Sequence, residues 1–200
     1  MSRMQSLQKS LCATLLGGLF FAGTASAQNV TTEILEDAQN LSDRWVHYGR
    51  NYGAWRYMPD DQINRETVKD LSPVWIKQTG VTGGAFEVTA LVNDGRMYLT
   101  TANSHLMVVD PMTGAELWRY DHNFEDVDLC CGPHNRGVAL YEDMVFYGTL
   151  DAHLMAFDAA TGTQLWDTEV GDNRESLSIT GAPLVVKDMV LIGVGGGGGG

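Results

Sequence analysis

Cysteine is nearly absent from this chain: there are three in 200 residues. A disulfide-stapled miniature fold is therefore excluded. Basic residues are also scarce, with 13 Lys and Arg against 25 Asp and Glu and a formal net charge of −12. That balance disfavours nucleic acids and anionic membrane surfaces as partners and fits a soluble protein. Long apolar runs are missing as well. The longest, Leu11 to Gly23, falls short of the ~18 residues that a membrane-spanning helix needs.

That short run has its own meaning. Arg3 and Lys9 precede it, and Ala25-Ser26-Ala27 follows as an A-x-A cleavage site. Residues 1–27 read as a secretory signal peptide, which makes 28–200 the exported part. Cys12 leaves with the leader, so Cys130 and Cys131 remain, side by side, in a compartment where disulfides persist. Taken alone, such a pair is open to three readings: two free thiols, one bridge to another subunit, or a bond between neighbours.

A repeat dominates what is present. DGRMYLTTANSHLMVVDPMTGAELW (94–118) aligns without a gap on EDMVFYGTLDAHLMAFDAATGTQLW (142–166), at a shift of 48. Each copy reads as short strands: Met97 to Thr100 and Leu106 to Val109 in the first, Val145 to Gly148 and Leu154 to Phe157 in the second. A D-x-x-T-G turn follows, in which Asp bonds the backbone ahead and Gly accepts positive φ, and then a strand carrying Trp118 or Trp166. A third copy begins at Leu184 to Gly193. Short strands repeating about every 45 residues predict the blades of a β-propeller, with the tryptophans wedged between them. His105 and His153 sit at equivalent repeat positions, which assigns them to packing or turn bonds rather than to metal.

Three features together carry a resemblance: RWVHYGRNYGAWRYMPDDQINRETVKDLSPVW (44–75), the D-x-x-T-G-x-x-x-W repeats, and Cys-Cys followed by Asn-Arg-Gly in DLCCGPHNRG (128–137). From about residue 40 to 193 the chain resembles the pyrroloquinoline-quinone (PQQ)-dependent alcohol dehydrogenases, the methanol and ethanol dehydrogenase family. The resemblance implies an all-β, eight-bladed propeller, of which this chain holds about two blades and the start of a third. It also implies a Cys130–Cys131 disulfide ring lying against the quinone plane. Adjacent Cα atoms stand about 3.8 Å apart, against about 4.4–6.8 Å for an ordinary disulfide, so such a ring is strained and rigid.

Further PQQ contacts are carried over position by position. Glu87 matches a carboxylate near the quinone and stands in an apolar run where an unpaired charge is costly. Arg136 matches the arginine that grips the quinone carboxylates. Thr180 matches a hydroxyl that donates to another of them, with an ordinary strand threonine as the competing reading. Gly195 and Gly196 are placed to offer backbone amides. The sequence departs from the family where residues 195–200 are all glycine: the glutamate that binds calcium or a lanthanide would fall near Gly198, which has no ligand side chain. This departure, with too few blades to close a ring, reads as a fragment that is inactive by itself.

For the full-length parent the resemblance implies periplasmic oxidation of primary alcohols to aldehydes. Metal, catalytic base and second stacking aromatic come from elsewhere in the protein, electrons pass to a cytochrome c, and a homodimer is compatible. Two alternatives stay open: a non-enzymatic propeller scaffold of the outer-membrane assembly type, which needs neither Cys-Cys-x-x-x-Asn-Arg nor a buried Glu87, and a PQQ sugar or polyol dehydrogenase.

Overall fold

The computed structural model describes residues 29–123, 127, 129 and 132–196. The expected leader (1–27), Cys130, Cys131 and Gly198 lie outside the described residues. A short helix, α1 (Thr32–Glu36), opens the described part. The chain then reaches a four-stranded antiparallel sheet of β1 (Leu91–Asn93), β2 (Arg96–Thr100), β3 (His105–Val109) and β4 (Glu116–Asp121), in sequential order. A second such sheet follows, built from β5 (Val138–Tyr141), β6 (Met144–Gly148), β7 (His153–Asp158) and β8 (Gln164–Glu169). The hairpin β9 (Leu184–Val186) and β10 (Met189–Leu191) starts a third. These sheets are propeller blades, and every strand expected from the repeat is present.

The repeat extends to fine detail. A register shift occurs between Val108 and Val109 in the first blade and between Ala156 and Phe157 in the second, the same repeat position. Asp110 Oδ1 accepts the N–H groups of Met112 (2.7 Å) and Thr113 (2.9 Å). Asp158 Oδ1 accepts those of Ala160 (3.1 Å) and Thr161 (2.7 Å). The turn glycines have φ of 71° (Gly114) and 72° (Gly162), a region that costs a side-chain-bearing residue about 1–2 kcal/mol.

These glycines also receive the tryptophans. A Cβ on Gly162 would lie 2.6 Å from the Trp118 ring, and one on Gly114 would lie 2.8 Å from the Trp75 ring. The indole N–H of Trp118 donates to Ala159 O (3.2 Å), and that of Trp75 to Pro111 O (2.9 Å). Pro111 and Ala159 are repeat-equivalent, so Trp75 stands on the first blade as Trp118 stands on the second. Trp118 also stacks near Phe157, with ring centroids 6.4 Å apart, and Tyr120 packs on the same ring at 4.7 Å. Phe157 is fully buried, a burial worth about 1.5–3 kcal/mol for a side chain of this kind.

The core lies between the two sheets, where Leu106 and Val108 of β3 meet a cluster containing Tyr147, Ala156 and Phe157. Two polar ties cross it. Tyr147 OH donates to Ser104 O, and Leu150 N–H donates to Ser104 Oγ at 3.0 Å. The flanks are open: all six residues of β8 are exposed, and Val74 and Ile76, on either side of Trp75, are more than four-fifths exposed. Among the described residues, no helix is long and apolar enough to cross a membrane.

Candidate functional site

Three segments lead into the first strands of the three sheets: 84–90 before β1, 132–137 before β5, and 178–183 before β9. Backbone hydrogen bonds join them. Ala85 N–H donates to Pro133 O (3.2 Å), Thr89 N–H to Arg136 O (3.1 Å), and Arg136 N–H to Thr180 O (3.1 Å). Close approach is possible because Gly84, at φ +76°, has no Cβ; one there would come within 2.5 Å of Pro133 O. Asn135, almost wholly buried, donates to Gly148 O (2.8 Å) and accepts Gly137 N–H (3.0 Å), holding the middle segment against the second blade.

The segments wall a cleft of about 600 Å³ that brings Glu87, Arg136, Thr180, Gly195 and Gly196 together. These five positions, spread over more than a hundred residues, were each singled out from sequence. Arg136 is the centre of the group. Its guanidinium pairs with Glu87 (3.0 Å) and donates to Thr180 Oγ1 (3.1 Å). Thr180 accepts that bond, so its own hydroxyl proton remains for a ligand. The Glu87 and Arg136 side chains are 40% and 37% exposed, and an ion pair this open is worth about 0–1 kcal/mol. A ligand carboxylate therefore competes for Arg136 at little cost.

Two expectations need correction. The apolar run around Glu87 does not bury it; its charge is met by Arg136 and by solvent. Like Thr180, it lies in a connecting segment outside the strands. Gly195 does not offer its amide to the cleft, because its N–H donates to Ser178 O (2.9 Å) while its carbonyl accepts Ser178 N–H (2.8 Å). What Gly195 offers is room: a Cβ there would meet nothing within 4 Å, and the same holds at Gly132. Of the glycine pair, Gly196 is left as the candidate amide.

His134 and Ser178 also line the cleft, and neither was anticipated. The His134 ring Nδ1 lies 3.0 Å from Gly132 O, which orients the ring. Its position inside the Cys-Cys-Gly-Pro-His-Asn-Arg string was the only signal available. The repeat histidines serve their own sheets: the His105 and His153 N–H groups donate to Thr101 Oγ1 (3.2 Å) and Thr149 Oγ1 (3.1 Å). Among the described residues there is no cluster of three or more His, Cys, Asp or Glu side chains suited to a metal ion.

Repeated four-stranded blades, locked by tryptophan on glycine and opening at their first strands onto a shared cleft, define a β-propeller. The chain belongs to the PQQ-dependent alcohol dehydrogenase propeller family: the family described as "PQQ: Glucose/ethanol/alcohol dehydrogenase, beta-propeller domain" matches residues 45–195. It is 40% identical over 190 residues to the quinoprotein alcohol dehydrogenase PedH of Pseudomonas putida, a match covering 92% of this chain and 31% of that protein. Its fold is similar to that of the quinohemoprotein alcohol dehydrogenase from Comamonas testosteroni, with a TM-score of 0.79, 36% identity, and coverage of 86% of this chain and 26% of that one. A europium-containing methanol dehydrogenase matches with a TM-score of 0.72 and 33% identity, over 82% of this chain and 29% of that one. The chain thus spans less than a third of the length of these relatives.

Proposed function

We propose that the protein containing this chain oxidises primary alcohols to aldehydes with PQQ in the periplasm, passing electrons to a cytochrome c, and that this segment provides part of the quinone site. The observation that carries the reading is the Glu87–Arg136–Thr180 group, aligned by backbone bonds at the mouth of one cleft. The donor set fits a planar ligand bearing carboxylates: one guanidinium, one spare hydroxyl proton, and glycine positions with open space above them.

When bound, PQQ supplies a two-electron acceptor for alcohol oxidation. Arg136 would bind a quinone carboxylate through its planar fork, releasing or sharing Glu87. Thr180 would donate its hydroxyl proton to a second carboxylate, its lone pair held by Arg136. Gly132 and Gly195 would leave the ring plane unobstructed, and a Cys130–Cys131 ring would floor it. Calcium or a lanthanide is proposed for the whole protein, but the described residues provide no ligand cluster for it, and its expected position near Gly198 bears no carboxylate. Alcohol binding and proton removal are assigned to the longer protein, so the 200-residue segment alone is expected to show no turnover.

The test is PQQ titration of the full-length protein, read by quenching of protein fluorescence. Arg136→Ala is expected to raise the Kd about 10–100-fold, the range for losing a charge-assisted bond, with Thr180→Ala weaker. Wild-type affinity in both variants would sink the assignment of these residues.

A further inference from the structure

Two described residues that flank the cleft wall in the chain, His122 and Asn135, are tied to one turn of the second blade. Downstream, buried Asn135 donates to Gly148 O at 2.8 Å. Upstream, the His122 Nε2 lies 2.9 Å from both carboxylate oxygens of Asp151, three residues further round the same turn. The His122 side chain is 8% exposed and that of Asp151 19%, so the bond is shielded from water. Two more groups converge on the pair: Tyr120 OH lies 3.3 Å from the His122 Nδ1, and Thr149 Oγ1 donates to Asp151. The turn is itself fixed to the first blade, through Leu150 N–H on Ser104 Oγ. Between the two anchors the chain contributes Leu129, Gly132, Pro133 and His134 to the cleft wall, and Arg136 follows directly.

This clamp is not demanded by the repeat. The equivalent turn of the first blade has the same backbone bonds, Thr101 N–H to His105 O and Thr149 N–H to His153 O, both 2.9 Å. It places Asn103 where the second blade has Asp151. A blade therefore closes without the carboxylate. The clamp is particular to the second blade, whose turn also holds Asn135, next to Arg136.

Resting on the cofactor reading above, we propose that His122 and Asp151 are positioning residues for PQQ: their buried pair fixes the chain after β4 to the turn that also holds Asn135, and thereby how Leu129 and residues 132–136 face the quinone.

The test uses the full-length protein, with PQQ Kd from fluorescence titration and Tm measured without cofactor. His122→Ala and Asp151→Ala are expected to raise the Kd ~10-fold or more, in line with the cost of misplacing a binding group by about an ångström, while Tm stays close to wild type. His122→Gln and Asp151→Asn, which keep a donor and an acceptor, are expected to hold the Kd within about threefold. Wild-type affinity in the two alanine variants overturns the proposal. So does an affinity that merely follows Tm across all four variants, which marks a structural pair. A wild-type protein that takes up no PQQ brings down the cofactor reading and this proposal with it, an outcome distinct from the other two because it appears before any substitution.

Discussion

The two complete blades are near copies in backbone and differ in the charge around one shared histidine position. Turn bonds, bulge position and tryptophan seat coincide at a shift of 48 residues. Yet the repeat-equivalent histidines diverge. Burial pulls His105 below the usual imidazole range; Asp121 counters this, and Arg119 beside it pushes further down. Burial also lowers His153, but the hydrogen bond and charge of Asp167, with Asp151 and Glu169 behind it, outweigh that and raise it. Arg119 and Asp167 are the same repeat position. Propeller geometry thus constrains the strands, turns and tryptophan seats and leaves the exposed outer strand free to choose its charge.

Breaking the shared part has the largest expected effect. Trp118→Ala in the full-length protein is expected to cost about 3–5 kcal/mol by urea unfolding, since it empties an inter-blade seat. Trp75→Ala should match it, having the same glycine and carbonyl beneath; a marked inequality would break the equivalence of the two seats. Next in size, Gly162→Ala adds left-handed strain and a methyl within 2.6 Å of an indole, and is expected to cost about 2–4 kcal/mol. Gly95→Ala is its control: φ is +68° but a Cβ meets nothing within 4 Å, so only about 1 kcal/mol of strain is expected. Equal losses at the two sites would refute the seat as the reason for Gly162.

The smallest effect tests the difference between blades. His153 is raised on folding, so its contribution is complete below about pH 6.5 and is lost as pH rises through its folded value. His105 is lowered, so its contribution is complete above about pH 6.5 and is lost as pH falls toward its folded value. Replacing His153 by Asn should flatten the alkaline side of a stability–pH curve, and His105→Asn the acid side. Asp167→Arg should turn the second blade's histidine into one that behaves like the first; an unchanged curve would show that the charge on the outer strand does not govern it.

Much of this was legible beforehand. The second, third and fourth strands of both blades follow from short aromatic or β-branched runs and the tryptophan that ends each repeat, and the D-x-x-T-G turns carry their hydrogen bonds within a few residues, so local chemistry suffices there; β1 and β5 were not placed from sequence. Five cleft positions, Glu87, Arg136, Thr180, Gly195 and Gly196, were legible through the family resemblance. The details that failed are those set by distant chain. Glu87 looked buried because its sequence neighbours are apolar, but its side chain faces the open cleft and is 40% exposed. Gly195 looked like a free donor until Ser178, seventeen residues earlier, took its amide.

By itself, then, the sequence determined the repeat, the turn geometry and the kind of ligand that an arginine and a threonine can grip. All of these depend on residues close in the chain or on residue type. Tertiary structure alone decided that Arg136 sits between Glu87 and Thr180, that His122 and Asn135 meet the same turn, and that Trp75 and Trp118 land on Gly114 and Gly162. The physical reason is that hydrogen bonds act over about 3 Å, whatever the separation along the chain, so only the docking of blade on blade settles which donor meets which acceptor.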